Sequence, residues 1–187
     1  MMKRQILNFI AQPVLLFLLL GSGPVFGEVE VGHPAPDFQL RDQYGDCHQL
    51  ADFSGKWLAV YFYPKDDTPG CTTEACNFRD NFYAFRAIGA DVVGISLDDV
   101  ASHKEFSDKY RLPFTILADD DGETASAYGV LRDMKVFKVA RRESFLINPE
   151  GLLVKHYSKV DPDTHTQEVL ADIQQLSGQS ESPAPQP

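Results

Sequence analysis

Seven consecutive apolar residues, Trp57-Leu58-Ala59-Val60-Tyr61-Phe62-Tyr63, stand out from an otherwise mixed chain. Such a run predicts a central β-strand covered on both faces. After a polar Pro/Thr/Gly turn, apolar positions recur at Cys71, Ala75, Phe78, Phe82 and Phe85. That spacing predicts one amphipathic helix over residues 71–87, with Cys71 on its buried face. Asp91-Val92-Val93-Gly94-Ile95-Ser96-Leu97 reads as a second buried strand, residues 100–110 as a second helix and Thr115-Ile116-Leu117-Ala118 as a third strand. Strands linked by helices in this way should be parallel.

Shorter patterns flank this unit. Asp37-Phe38-Gln39-Leu40 and His48-Gln49-Leu50 bracket a turn and predict an opening hairpin. A short helix is expected near residues 123–128. Ser144-Phe145-Leu146-Ile147 and Leu152-Leu153-Val154-Lys155-His156 surround Asn148-Pro149-Glu150-Gly151, a strong hairpin signal. A last helix is expected over residues 164–176. The order predicts an α/β sandwich on a mixed central sheet flanked by helices.

The ends of the 187-residue chain alter the picture. Residues 1–27 combine a basic start, Lys3 and Arg4, with an apolar stretch and a small-residue end at Val25 and Gly27. This is signal-peptide anatomy, with cleavage expected after Gly27. Asn8, Gln12 and Pro13 keep the apolar run below the ~18 residues expected of a membrane span. The mature chain is therefore expected to be exported without stable membrane insertion. The periplasm is the first expectation, with a thylakoid lumen or a membrane-anchored form as alternatives. Residues 178–187 are polar and Pro-rich and predict a disordered tail, which leaves residues 28–177 as one domain. Net charge is −10, or −12 without the two leader cations, so nucleic acid is not an expected partner.

Three cysteines make a poor disulfide framework for an exported domain of this size. Cys71 falls in the first turn of the predicted helix, where unpaired backbone N–H groups and the helix dipole favour thiolate over thiol. Cys76 lies five positions on, which in a regular helix means about 7.5 Å of rise and a Cα separation of roughly 8.6 Å. Disulfides need roughly 7 Å or less, so joining the pair requires the helix to unwind.

The run Tyr61-Phe62-Tyr63-Pro64-Lys65-Asp66-Asp67-Thr68-Pro69-Gly70-Cys71-Thr72-Thr73-Glu74-Ala75-Cys76 resembles the active site of the peroxiredoxins, in the bacterioferritin-comigratory-protein or peroxiredoxin Q branch. The resemblance extends over residues 31–176 and includes Pro34-Ala35-Pro36-Asp37-Phe38, Leu112-Pro113-Phe114 and Arg142-Glu143-Ser144-Phe145-Leu146-Ile147. It implies a thioredoxin-like fold and thiol-dependent reduction of hydrogen peroxide and alkyl hydroperoxides. By the same resemblance Pro64, Thr68 and Cys71 form the peroxide pocket, and Arg142, with Arg141 its rival, stabilises the thiolate and the leaving oxygen. Cys76 is the implied resolving thiol, and thioredoxin or a similar dithiol protein the implied reductant. No metal, haem or flavin is required, and pairing within one chain is compatible with a monomer. Thr68 is also a candidate helix N-cap, with Pro69 at the first helical position.

Other readings carry less. A structural Cys71–Cys76 disulfide fits poorly with the helical spacing, and the lack of any Cys-x-x-Cys argues against a thioredoxin-type reductase. His33, His48, His103, His156 and His165 have no metal-ligand spacing to the cysteines. Cys47 reads as a bystander and a candidate for burial. Asp66 and Asp67 read as loop solvation, Glu74 as a helix-start residue or a partner that orients Arg142. Lys135, Lys138 and Arg141 read as a solvated basic edge or a docking patch.

Overall fold

A computed structural model describes residues 29–180. The leader and all but the first three residues of the expected tail lie outside them. The apolar run forms β3 (Trp57–Phe62), at the centre of a seven-stranded sheet. Before it come β1 (Gln39–Asp42) and β2 (Cys47–Gln49); after it come β4 (Ala90–Ser96), β5 (Thr115–Ala118), β8 (Glu143–Ile147) and β9 (Leu153–Tyr157). The strand order is β2-β1-β5-β4-β3-β8-β9. β3, β4 and β5 run parallel, and the outer pairings are antiparallel, which gives the mixed sheet expected from the sequence.

Strand alternation divides the core in two. Ala59, Tyr61 and Tyr63 face one layer, under α1 (Pro69–Asp80), α2 (Phe82–Ala87), α3 (Val100–Tyr110) and α5 (His165–Ser180). Leu58, Val60 and Phe62 face the other, covered by Ala125 of α4 (Glu123–Ala127), by Tyr128, Val130 and Ala140, and by Ala35 and Phe38. Gly94 in β4 is required by the first layer, because a Cβ there would lie 2.7 Å from the Tyr61 ring.

Four expectations are corrected. The helix expected over residues 71–87 begins at Pro69 and breaks at Asn81, whose side-chain amide donates to the Asn77 carbonyl (2.9 Å) and competes with helical continuation. Phe78 and Phe85 are fully buried, whereas Phe82 is only partly so. The basic stretch folds as a separate hairpin, β6 (Leu131–Asp133) with β7 (Lys138–Ala140), whose tip exposes Val136 and Phe137. Cys47 is exposed on edge strand β2 rather than buried. The last helix continues to Ser180 rather than ending at Leu176. No helix among the described residues is long and apolar enough to cross a membrane.

Candidate active site

The site lies at the C-terminal end of β3, where the chain turns into α1. Thr68 holds the cap position in extended conformation, and Pro69 supplies the first helical residue, as its fixed φ allows. The Thr68 hydroxyl does not cap the helix, however; it donates to the Lys65 carbonyl (3.0 Å) and closes the preceding turn. This leaves its oxygen lone pairs free to accept. Pro64 is half-buried beside it.

Cys71 sits in the first turn of α1 and is 1% exposed. Arg142 arrives from the residue just before the neighbouring strand β8. β3 and β8 pair with Phe62 opposite Glu143, so one step further along the register sets Arg142 beside Tyr63, at the edge where α1 begins. Its Nη2 donates to Cys71 Sγ at 3.1 Å, and its Nη1 donates to Glu74 Oε2. Arg141, one residue earlier, points to the opposite face and pairs with Glu143 (2.7 Å). Gly70 leaves room for the approach: a Cβ there would stand 3.2 Å from Arg142 Nη2, close enough to push the guanidinium back by a few tenths of an ångström.

Glu74 is on the same helical face as Cys71, three residues on, and wholly buried. Burial pushes its carboxyl up to about 7, although the charge and hydrogen bond of Arg142 pull it down. Its Oε1 has no hydrogen-bond partner. Burial also opposes the charge of Arg142, but Glu74 and Cys71 outweigh it and hold the guanidinium above its ordinary value. The outcome is a fixed cation shared between a carboxyl and a thiol.

Cys76 is partly exposed, on the same unbroken helix as Cys71, and both thiols are free. Arg79 lies one turn beyond it. Asp80 chiefly holds the Arg79 guanidinium above its ordinary value, and Cys76 contributes in the same direction. The outer side of α1 is fastened to the start of α5, where Asn77 Nδ2 donates to the Pro162 carbonyl (2.8 Å) and Gln167 Nε2 to Asn81 Oδ1 (2.9 Å).

The structure thus brings Arg142 to Cys71, sets Thr68 at the cap of the same helix with Pro64 in the loop before it, and leaves Cys76 partly exposed further along that helix. Sequence reasoning missed Gly70, which only the three-dimensional approach of Arg142 reveals. It also misread Asp66, which is buried and not solvated. Two adjacent aspartates in a polar loop offer no local sign that one of them turns inward. Among the described residues no cluster of three or more metal-ligating side chains occurs. A cavity of about 250 Å³ lined by Asp37, Phe53, Lys56 and Ile147 lies at the opposite end of β3, away from this chemistry.

The profile of the AhpC/TSA family matches residues 31–156. Peroxiredoxin Bcp of Bacillus subtilis (strain 168) is 40% identical over 153 residues, covering 80% of this chain and 98% of the relative. Chloroplastic peroxiredoxin Q of Oryza sativa subsp. japonica is 43% identical over 153 residues, covering 81% of this chain and 70% of the relative. Among solved structures, the bacterioferritin comigratory protein of Xanthomonas campestris, with its alkyl peroxide reduction activity, aligns with a TM-score of 0.73 at 33% identity, over 79% of this chain and 99% of that one.

Proposed function

Since the chain belongs to the AhpC/TSA family, in its Bcp and peroxiredoxin Q branch, and is therefore a thiol-dependent peroxidase of thioredoxin-like fold, we propose that Cys71 attacks peroxide and Cys76 resolves the product. The observation that carries the assignment is the 3.1 Å contact between Arg142 Nη2 and Cys71 Sγ at a helix N-terminus. The guanidinium and the open end of the helix thus face the sulfur that attacks.

The thiolate attacks one oxygen of a hydroperoxide in line with the O–O bond. A sulfur–oxygen bond forms, the O–O bond breaks, and the leaving oxygen departs with the electron pair and takes up a proton as water or alcohol. Arg142 stabilises the negative charge growing on that oxygen, and Thr68 Oγ1 accepts a hydrogen bond from the hydroxyl of the bound peroxide, whose proton stays with the sulfenic acid. Pro64 screens the sulfur from bulk water. Cys71 is left as a sulfenic acid. The Cys76 thiolate then attacks the sulfenic sulfur, the S–S bond forms as the S–O bond breaks, and the departing hydroxide takes up a proton from solvent as water. A dithiol protein of the thioredoxin class returns both cysteines to thiols by exchange.

Helix α1 must open between the two steps, because residues five apart in a regular helix are about 8.6 Å apart at Cα. The same reading includes hydrogen peroxide and alkyl hydroperoxides as substrates and a cycle that closes within one chain. It also includes export by residues 1–27, for which the check is N-terminal sequencing of secreted material, expected to begin at Glu28. Stopped-flow peroxide reduction with mass analysis of the two cysteines tests the assignment. Cys71→Ser should abolish peroxide consumption, and Cys76→Ser should allow one turnover and accumulate the sulfenic acid. Sustained turnover by Cys71→Ser would overturn it.

A further inference from the structure

The loop of residues 64–68 carries two adjacent aspartates that face opposite ways. Asp67, with φ 56°, points outward and accepts from Lys109 Nζ (2.6 Å) and the Tyr110 hydroxyl (2.6 Å). Asp66 points inward, where its side chain is 4% exposed. It accepts from the Tyr63 hydroxyl (2.7 Å), Ser102 Oγ (2.8 Å) and His103 Nδ1 (2.8 Å). Its backbone amide donates to Asp98 Oδ2 (2.8 Å), which also accepts from Ser96 Oγ (2.8 Å). Burial, then the charge of Asp66, keeps Tyr63 protonated and therefore a donor.

Each of these ties runs to the end of β4 or to α3, or back to the end of β3. None runs to α1. The segment that carries Thr68 and follows Pro64 is therefore fastened by side chains to β4 and α3, although it is continuous in sequence with the helix that must open and the Thr68 carbonyl accepts that helix's first hydrogen bond, from Thr72 N–H (2.8 Å). His103 is fully buried, and its Nε2 has no hydrogen-bond partner. The ring therefore acts through its Nδ1 edge alone, donating to the Asp66 carboxylate.

We propose that Asp66 and His103 form a positioning pair that holds Pro64 and Thr68 in place over Cys71 while α1 opens and refolds. The proposal rests on the assignment of Pro64, Thr68 and Cys71 above. The pair touches neither peroxide nor sulfur. It fixes where the hydroperoxide sits relative to the thiolate, and a displacement of about 1 Å at such a point costs up to about 100-fold in rate.

The test separates reaction with peroxide from the intrinsic reactivity of the thiol. His103→Leu removes the donor at similar volume. His103→Asn places an N–H where Nδ1 was and loses nothing at the unpartnered Nε2 edge. In His103→Leu the rate constant for oxidation of Cys71 by peroxide should fall about 10- to 100-fold, whereas alkylation of Cys71 by iodoacetamide and the later closure to the disulfide should change less than about twofold. His103→Asn should recover most of the lost rate. Tyr63→Phe, which deletes one donor and leaves the pair intact, should show the same selective loss at smaller size, and decides the matter if His103→Leu does not fold. Parallel loss of peroxide reaction and alkylation, an unchanged peroxide rate in folded His103→Leu, or no rescue by His103→Asn would overturn the proposal. Sustained peroxide consumption by Cys71→Ser would instead defeat the active-site assignment.

Discussion

Arg142 and Cys71 are 71 residues apart in sequence and 3.1 Å apart in space, and the guanidinium that meets the sulfur also binds the buried carboxyl of Glu74. The antiparallel register of β3 and β8 sets the first distance and one helical turn sets the second. Helix, sheet and charge therefore meet at a single side chain.

Loss of that side chain should be costly. Arg142→Ala should lower the rate constant for peroxide about 100- to 1,000-fold. Arg142→Lys should recover only part of it, because an ammonium cannot span Cys71 and Glu74 with a planar fork. Stopped-flow oxidation of Cys71 measures both.

Glu74 should make stability and activity respond to pH in opposite directions. Its carboxyl is raised from 4.5 to about 7 by burial, so the folded state holds the proton more tightly than the unfolded chain. The stabilisation this gives is complete below about pH 4.5 and is lost as pH rises through about 7, a change of about 3 kcal/mol at most. Glu74→Gln should therefore be more stable than the parent at pH 8 and similar at pH 5, by urea denaturation. It should also react more slowly with peroxide above pH 7, where the parent has an ionised carboxylate holding Arg142. An unchanged stability difference between the two pH values would contradict this account.

A side chain at position 70 should cost the site reactivity rather than the fold stability. With a Cβ 3.2 Å from Nη2, Gly70→Ala displaces the guanidinium by a few tenths of an ångström. Peroxide reactivity should fall about 10-fold with a melting temperature close to that of the parent, which differential scanning calorimetry can check.

Asn77 should control how readily α1 opens. Asn77→Ser removes the hydrogen bond to the Pro162 carbonyl at nearly constant helix propensity. One such bond contributes about 1 kcal/mol, or roughly fivefold in the opening equilibrium. Disulfide formation after a single peroxide pulse should speed up by that factor. The fraction of Cys71 carried on to sulfinic acid at high peroxide should fall correspondingly, as read by mass spectrometry.

Much of the framework is legible in the chain because it is local. The apolar run of β3, the helical spacing of Cys71, Ala75 and Phe78, and the turn signals around Asn148 and Gly151 each depend on neighbours within a few residues. Arg142 is different. Nothing in its surroundings separates it from Arg141; resemblance to a family picked it out, and the strand register supplies the physical reason. Asp66 and the helix break at Asn81 were not legible, since one depends on partners from α3 and the other on a side chain turned back onto its own helix. The β6–β7 hairpin was missed because its strands are three residues each, too short for alternation to register.

The break at Asn81 has a consequence for how far the opening of α1 spreads. A continuous helix over residues 71–87 would melt cooperatively, and fraying at Cys71 would loosen Phe85 and its seat beneath the sheet. The helical conformation breaks at Asn81 (φ −103°, ψ 6°), although its N–H still donates to the Asn77 carbonyl (3.2 Å) and its carbonyl accepts from Phe85 N–H (3.2 Å), so α2 is a separate helix with Phe85 packed in the core. On the proposed cycle the break would work as a firebreak in the chain, confining the disorder that spreads from Cys71 to α1 and leaving α2 packed.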